Sequence, residues 1–389
     1  MTPAVLELKD SRKRLFDLFA KGEIPSGFQR DYTEGVDQYF RRSIQESESG
    51  HTLFRKKKNF AFVAVGGYGR KELSIHSDID IIILFDSGIP REAKALAEEI
   101  LYPLWDLGFD LGYGIRTIRD CLSLCKGDFK VLTSMMDARF LCGDSPLYLK
   151  LMDRLEGRIV AKQQKAFSRW LEEREKIREI TVGDASYLLE PDLKEGIGGL
   201  RDYHHILWLA RAFLQLRTPR ELEYTGILSH SEYEELQGHI QFITLVRNHL
   251  HLLSGRKNDR LIFEVQEEIA RILGFRSKDE LLAVEQFLSR LHVSMSEIKS
   301  LRHSFVKNLI QKNRRQKRER ETRFTTFRKG LRLHAGGLTF DSATAILSDP
   351  LLLMQIFEES ARLGLELTQE AKRLVQEFLH LVDDDFRRS

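Results

Sequence analysis

The stretch GGYGRKELSIHSDIDIIILFD, residues 66–86, limits what this chain can fold into more than any other. Asp78 and Asp80 open an apolar run, Ile81 to Phe85, of strand length and strand composition. On a strand alternate side chains share a face, so both carboxylates point one way while Ile79, Ile81 and Ile83 pack the other. Two carboxylates side by side repel, and in an apolar strand that is costly unless a cation neutralises them. A hard divalent ion that prefers oxygen, Mg²⁺, is the natural partner. A pair of aspartates at the exposed start of a strand would need no ion, so the pair alone does not decide.

The glycines upstream shift the balance. Gly66 and Gly67 follow a predicted strand, Phe60 to Val65, and precede a helical turn expected to begin near Gly69. Without Cβ atoms they let backbone N–H groups approach an anion, and a helix start adds a favourable field. A phosphate cradle eleven residues before a carboxylate pair is what a nucleoside-triphosphate transferase needs. No GxxxxGK[ST] occurs, which disfavours a P-loop kinase or ATPase. A two-ion site also calls for a third carboxylate from a neighbouring strand. Asp110 is the candidate, in a predicted third strand where Gly112 and Gly114 leave room; Asp106 and Asp120 fall at predicted element ends.

Around this unit the pattern is strand, short helix, strand, helix, strand, and from about Leu132 onward the spacing reads as helix. Long amphipathic stretches cover Ser145–Ile180, Leu200–Leu216, Glu232–Leu253, Arg260–Leu273 and Lys278–Ile310. Ser145 is expected to cap the first, with Pro146 at its first helical position. The loop EPDLKEGIGGLRD interrupts them, and Lys194, Arg201 and Asp202 are placed to line a pocket beside it. Arg256, Lys257 and Arg260, in SGRKNDR, either reach a triphosphate or belong to a solvated loop. RKGLRLHAGGLTF suggests a hairpin around Gly336 and Gly337. The expected divisions are a helical segment 1–50, an α/β domain 51–144, a helical domain 145–311 and a basic linker with C-terminal helices, 312–389.

Composition removes other classes. Hydrophobic residues make up 42% and charged residues 31%, with no apolar run near the roughly 18 residues of a membrane helix. Cys121, Cys125 and Cys142 form no CxxC pair, so a reducing, cytoplasmic setting is expected, with Cys121 and Cys125 packing as small core residues. The net charge of +3 is too mild to imply nucleic acid. Ten Lys or Arg against two Glu between Lys312 and Arg332 read as a solvated helix end, or as a surface for an acidic partner.

GGYGRKELSIHSDIDI resembles the nucleotidyltransferase motif of the DNA polymerase β superfamily. WDLGFDLGYGIRT, LEPDLKEGIGGLRDYHHILWLAR and HLLSGRKNDRLIFEVQ follow in the order found in bacterial PII uridylyltransferase/uridylyl-removing enzymes. The resemblance covers roughly residues 55 to 310. It implies an α+β fold, with a small polymerase-β-like α/β domain followed by a mostly helical one. It also implies UMP transfer from UTP to a tyrosine hydroxyl of the PII nitrogen-signalling protein, with Mg²⁺ and release of pyrophosphate. In that family Asp78, Asp80 and Asp110 correspond to the catalytic and metal carboxylates, and Gly66 and Gly67 to the phosphate-binding glycines, with Lys194 and Arg201 beside the nucleotide. Arg70 either contacts phosphate or pairs with Glu72 beneath the loop. Lys71 stands where glycine is common, and Ile75 where proline is. The chain contains no His-Asp dipeptide, so the hydrolase that removes UMP and the glutamine-sensing ACT domains are expected to be absent. Alternatives are a transferase with another nucleotide or acceptor (an adenylyltransferase or an RNA-modifying enzyme) or a non-catalytic nucleotide-binding regulator. No membrane partner is expected.

Overall fold

The structure is a computed structural model that describes residues 2–21, 27–181, 188–278, 281–319, 325–328, 330–334, 337–382 and 386. The chain divides into two compact units, Met1–Ser304 and Phe305–Ser389.

The first unit opens with three helices, α1 (Pro3–Ala20), α2 (Phe28–Glu46) and α3 (Glu48–Arg55), as the apolar spacing of the first fifty residues requires. They cover a four-stranded mixed sheet of β1 (Phe60–Ala64), β2 (Ile79–Phe85), β3 (Leu111–Thr117) and β4 (Arg139–Gly143), in the order β3-β2-β1-β4. β1 runs antiparallel to β2 and β4, whereas β2 and β3 are parallel. Every residue of β1 is buried, which is why FAFVA is continuously apolar rather than alternating. The parallel pair needs a crossover, supplied by α5 (Ala93–Asp106), and Leu96, Ile100, Leu101 and Leu104 of that helix join Ile79, Ile81 and Ile83 in the core. Between β1 and β2 lies the short α4 (Gly66–Gly69). The helical turn thus starts at the double glycine itself, not near Gly69.

β4 corrects the expectation of continuous helix beyond Leu132. Its five residues, RFLCG, are too short and too mixed to show a period of their own, and pairing with β1 decides their state. Before β4 come α6 (Ile118–Gly127) and α7 (Phe129–Met136). Thr117 and Asp120 form a capping box at the start of α6, which accounts for Asp120, and Cys121 and Cys125 are fully buried on its inner face.

The helical part follows as α8 (Ser145–Leu155), a π-helical turn over Glu156–Val160, α9 (Ala161–Thr181), α10 (Leu200–Leu214), the short α11 (Glu221–Tyr224), α12 (His230–Ser254), α13 (Phe263–Ile272) and α14 (Ala283–Glu319). Asp144 rather than Ser145 is the N-cap of α8, with Ser145 and Pro146 inside the first turn. In the second unit β5 (Thr325–Arg328), β6 (Leu331–His334) and β7 (Gly337–Phe340) make an antiparallel sheet. With α15 (Ala343–Ser348), α16 (Leu352–Leu363) and α17 (Gln369–Phe378) it encloses Leu331, Leu338, Phe340, Ile346 and Ile356. β6 and β7 are the expected hairpin, although Gly336 lies outside the described residues, as do the side chains of most of the basic segment. The fold is α+β, and among the described residues no helix is long and apolar enough to cross a membrane.

Candidate active site

The glycine turn is built by tight approach on both sides. Gly66 adopts φ +58°, a left-handed conformation that L side chains resist. A Cβ on Gly69 would lie 2.0 Å from the Asp137 carbonyl oxygen. The turn is braced from below by Asp37, fully buried on α2, which accepts from the Tyr68 hydroxyl at 2.8 Å and from Arg139 Nη1 at 2.6 Å. Arg139 Nε in turn donates to the Gly69 carbonyl. At its N-terminal side the Val65 amide donates to the Asp80 carbonyl at 3.0 Å, so the turn is tied directly to the strand that carries the carboxylates.

β2 and β3 pair with Ile79 opposite Leu111 and Asp80 opposite Gly112. By this register Asp78, Asp80 and Asp110 belong to one face of the sheet, and Ile79, Ile81 and Ile83 pack the other, in the core. Asp80 Oδ2 sits 3.5 Å from where a Cβ on Gly66 would be, so the second predicted aspartate abuts the first predicted glycine. Burial, and then the neighbouring Asp78, push the Asp80 carboxyl above the usual carboxylate range, against the opposing pull of Lys257 and Lys194. Asp78 is half exposed and pairs with Lys257 Nζ at 2.5 Å. Asp110 lies just outside β3 rather than within it; it is exposed, and its carbonyl accepts from the Ile79 amide at 2.8 Å. Among the described residues no three His, Cys, Asp or Glu side chains are gathered as a ready-made metal cluster. Asp78 and Asp110 each lie one residue before their strands, β2 and β3, and Asp78 is the acidic neighbour that acts on Asp80.

A cavity of about 530 Å³ brings together Gly66, Gly67, Arg70, Asp80, Lys194 and Arg201. Two distant segments of sequence therefore meet at one site. The later one, the loop before α10, is shaped by buried charge. Asp202 accepts from the Gly198 amide at 2.7 Å and from Arg178 Nη1 at 2.8 Å, and Arg178 also donates to the carbonyls of Glu195 and Gly196. Asp202 is fully buried and does not line the cavity, contrary to expectation; it holds the loop from which Lys194 and Arg201 project. Arg201 pairs with Glu195 at 2.5 Å and lies over the Trp208 ring. Burial, and then the Arg247 charge, lower the Lys194 pKa.

Arg70 is committed beneath the turn. Its Nε meets Glu72 at 2.7 Å and its Nη1 meets Asp137, which also accepts from Trp208 Nε1 at 3.0 Å. Burial works against the Arg70 charge, but Asp137 and Glu72 more than offset it and raise its pKa. Glu72 further meets His204 Nε2 at 2.8 Å, while burial drives the His204 pKa down to about 3. His204 and His205 share no metal cluster.

Sequence reasoning missed the wall opposite the glycines. Trp170, Arg174, Ile177, Arg178 and Thr181 of α9 all line the cavity at helical spacing, and Lys130 and Ser134 come from α7. A tryptophan and two arginines on one helical stripe was the available signal, masked because α9 is polar all round. With these side chains the cavity presents six cationic groups against Asp80, Asp137 and Glu195, a balance suited to a polyanion, and two indole rings beside it. The two departures from the family pattern also acquire reasons. Lys71 has φ +63°, the conformation for which glycine is preferred. The Ile75 amide donates to Asn248 Oδ1, a bond that proline could not make.

A putative nucleotidyltransferase family (DUF294) matches residues 9–117, which contain the glycine turn and the aspartates, and the GlnD PII-uridylyltransferase family matches residues 165–306. Bifunctional uridylyltransferase/uridylyl-removing enzymes of Ruegeria pomeroyi and Cereibacter sphaeroides are each 34% identical over 85% of this chain, and that of Novosphingobium aromaticivorans is 32% identical over 85%. The chain spans little more than a third of the length of these relatives, 36–37%. Two family matches that meet at one cavity, with relatives similar along most of the sequence, carry one conclusion: the chain is similar to a part of the bifunctional uridylyltransferase/uridylyl-removing enzymes, and its residues 165–306 match the PII-uridylyltransferase family.

Proposed function

We propose that this chain transfers UMP from UTP to a tyrosine hydroxyl of the PII nitrogen-regulatory protein and releases pyrophosphate. One observation carries the reading: the cavity that joins the glycine turn and Asp80 to Lys194, Arg201 and the α9 stripe. In this assignment the amides of Gly66 and Gly67 and the cations of the later loop bind the triphosphate, and Trp170 and Trp208 offer flat surfaces to the base. Arg70, already paired with Glu72 and Asp137, holds the turn in shape.

The carboxylates fit a divalent ion. Two share a sheet face, one of them is disfavoured as an isolated charge, and Gly112 leaves room beside it. Asp78 and Asp80 are the residues assigned to hold Mg²⁺, which when bound would neutralise the pair and polarise the α-phosphate. A tyrosine hydroxyl with a pKa of about 10 needs a proton acceptor at neutral pH. Asp110, exposed at the start of β3, is assigned to that side of the reaction. The three cysteines are free, as suits a cytoplasmic setting. Uridylyl removal, the second half of the relatives' name, is not assigned to these residues, which contain no His-Asp dipeptide.

The test is to incubate the protein with each labelled nucleoside triphosphate, Mg²⁺ and purified PII protein. UTP-dependent labelling of PII is expected. Labelling from ATP, or of a different acceptor, would reassign the substrate, and no transfer from any triphosphate would end the enzymatic reading.

A further inference from the structure

Lys257 reaches Asp78 across 179 positions of sequence. Its mounting separates it from an ordinary surface lysine. Gly255, at φ +60°, stops α12 immediately before the loop. Asp259, two residues beyond Lys257, is gripped by Arg247 Nε at 2.6 Å and His251 Nε2 at 3.0 Å, and its carbonyl accepts from the Leu193 amide at 2.8 Å. The same helix also holds the segment that leads into the carboxylates. Arg247 Nη1 donates to Ser74 Oγ at 2.7 Å, Asn248 accepts from the Ile75 amide, and His251 Nδ1 accepts from that of His76. α12 thus fixes both the loop that presents the lysine and the approach to the strand that presents the aspartate.

The contact itself remains open to water. The side chains of Lys257 and Asp78 are 39% and 42% exposed, so a rigid mount ends in an ion pair that opens at little cost. A permanent strut would be buried, as Arg178–Asp202 is in the same unit. Lys257 also acts on Asp80, whose charge it favours together with Lys194. The lysine is therefore the counter-charge of a carboxylate pair whose assigned partner is a divalent ion.

We propose that Lys257 is the exchangeable counter-cation of Asp78: it occupies this carboxylate before loading, yields it to the divalent ion, and turns its ammonium to the phosphates of the nucleotide. The inference rests on the nucleotidyltransferase reading and adds a residue that couples metal occupancy to nucleotide binding. No covalent bond changes in the exchange.

Titration of the full chain with Mn²⁺, followed by the electron paramagnetic resonance of the free ion, tests the first half. In Lys257→Met the competing ammonium is gone, and Mn²⁺ should bind about fivefold more tightly, the scale of one exposed ion pair. Lys257→Arg should stay near wild type. A non-hydrolysable UTP analogue at saturating Mn²⁺ tests the second half: its binding should weaken severalfold in Lys257→Met and be kept in Lys257→Arg. Mn²⁺ affinity that is unchanged or weaker in Lys257→Met, or analogue binding that is unchanged, overturns the exchange. Asp80→Asn separates this failure from that of the underlying reading: if it leaves Mn²⁺ binding intact, the carboxylates are not the metal site at all.

Discussion

A methyl group on Gly112 would stand 2.2 Å from Asp80 Oδ1. The two residues face each other across the parallel pair β2–β3, and the missing side chain of one is the space filled by the carboxylate of the other. The backbone of Gly112 lies outside the left-handed region, so an alanine there meets no torsional strain. Gly112→Ala should therefore turn the Asp80 carboxylate away while preserving the strand. UMP transfer is expected to fall by about a hundredfold, the cost of an ångström-scale misplacement. Unchanged transfer would mean that the position of Asp80 is irrelevant to turnover.

Asp80→Asn addresses the carboxylate itself. Several kcal/mol of metal-dependent stabilisation corresponds to a loss of at least about a thousandfold in rate. The melting temperature should hold, because burial already disfavours this charge. Near-normal turnover would remove Asp80 from the metal assignment.

Arg70 separates two roles that predict different measurements. Asp137, whose side chain is 7% exposed, would be left facing Glu72 without its guanidinium in Arg70→Met. Stranding buried carboxylates in this way should cost about 3 kcal/mol in urea unfolding. If stability is instead retained while the KM for UTP rises, Arg70 is a phosphate ligand and not a brace.

Buried histidines should make the protein sensitive to mild acid. His249 on α12 lies against Phe19 with neither ring nitrogen hydrogen-bonded, and burial lowers its pKa to about 4. Above pH 6.5 neither state protonates and stability is unaffected. As pH falls from 6.5 towards 4 only the unfolded chain takes up the proton, so stability falls by about 1.4 kcal/mol per pH unit for this group. His204, lowered to about 3, and His205 act in the same direction. His249→Phe should flatten the dependence between pH 6.5 and 5 in denaturant titrations; an unaltered slope would show that His249 is protonated in the fold.

Much of the first sheet was legible because its signals are short-range. The alternation through Asp78–Ile83 and the unbroken apolar run of β1 each express one local geometry. β4 was not legible, since its state depends on pairing with β1 some eighty residues away. Asp202 was read as lining a pocket because its neighbours do, yet it is buried with Arg178, a partner that no spacing rule connects to it. Asp110 was read as lying within the third strand, whereas β3 begins one residue later and Asp110 stands at its start, as Asp78 stands at the start of β2.

The sequence by itself determined that two carboxylates would share one face of a strand just downstream of a glycine turn, because a period of two and the absence of a Cβ follow from covalent geometry alone. Only the tertiary structure decided what surrounds them: Gly112 against Asp80, Lys257 upon Asp78, Arg70 turned to Asp137, and the α9 stripe across the cavity. These partners lie tens to hundreds of residues apart along the chain. Which of the many possible pairs forms depends on how whole helices and strands pack, a choice made by the summed burial of the core and not by any residue's immediate neighbours.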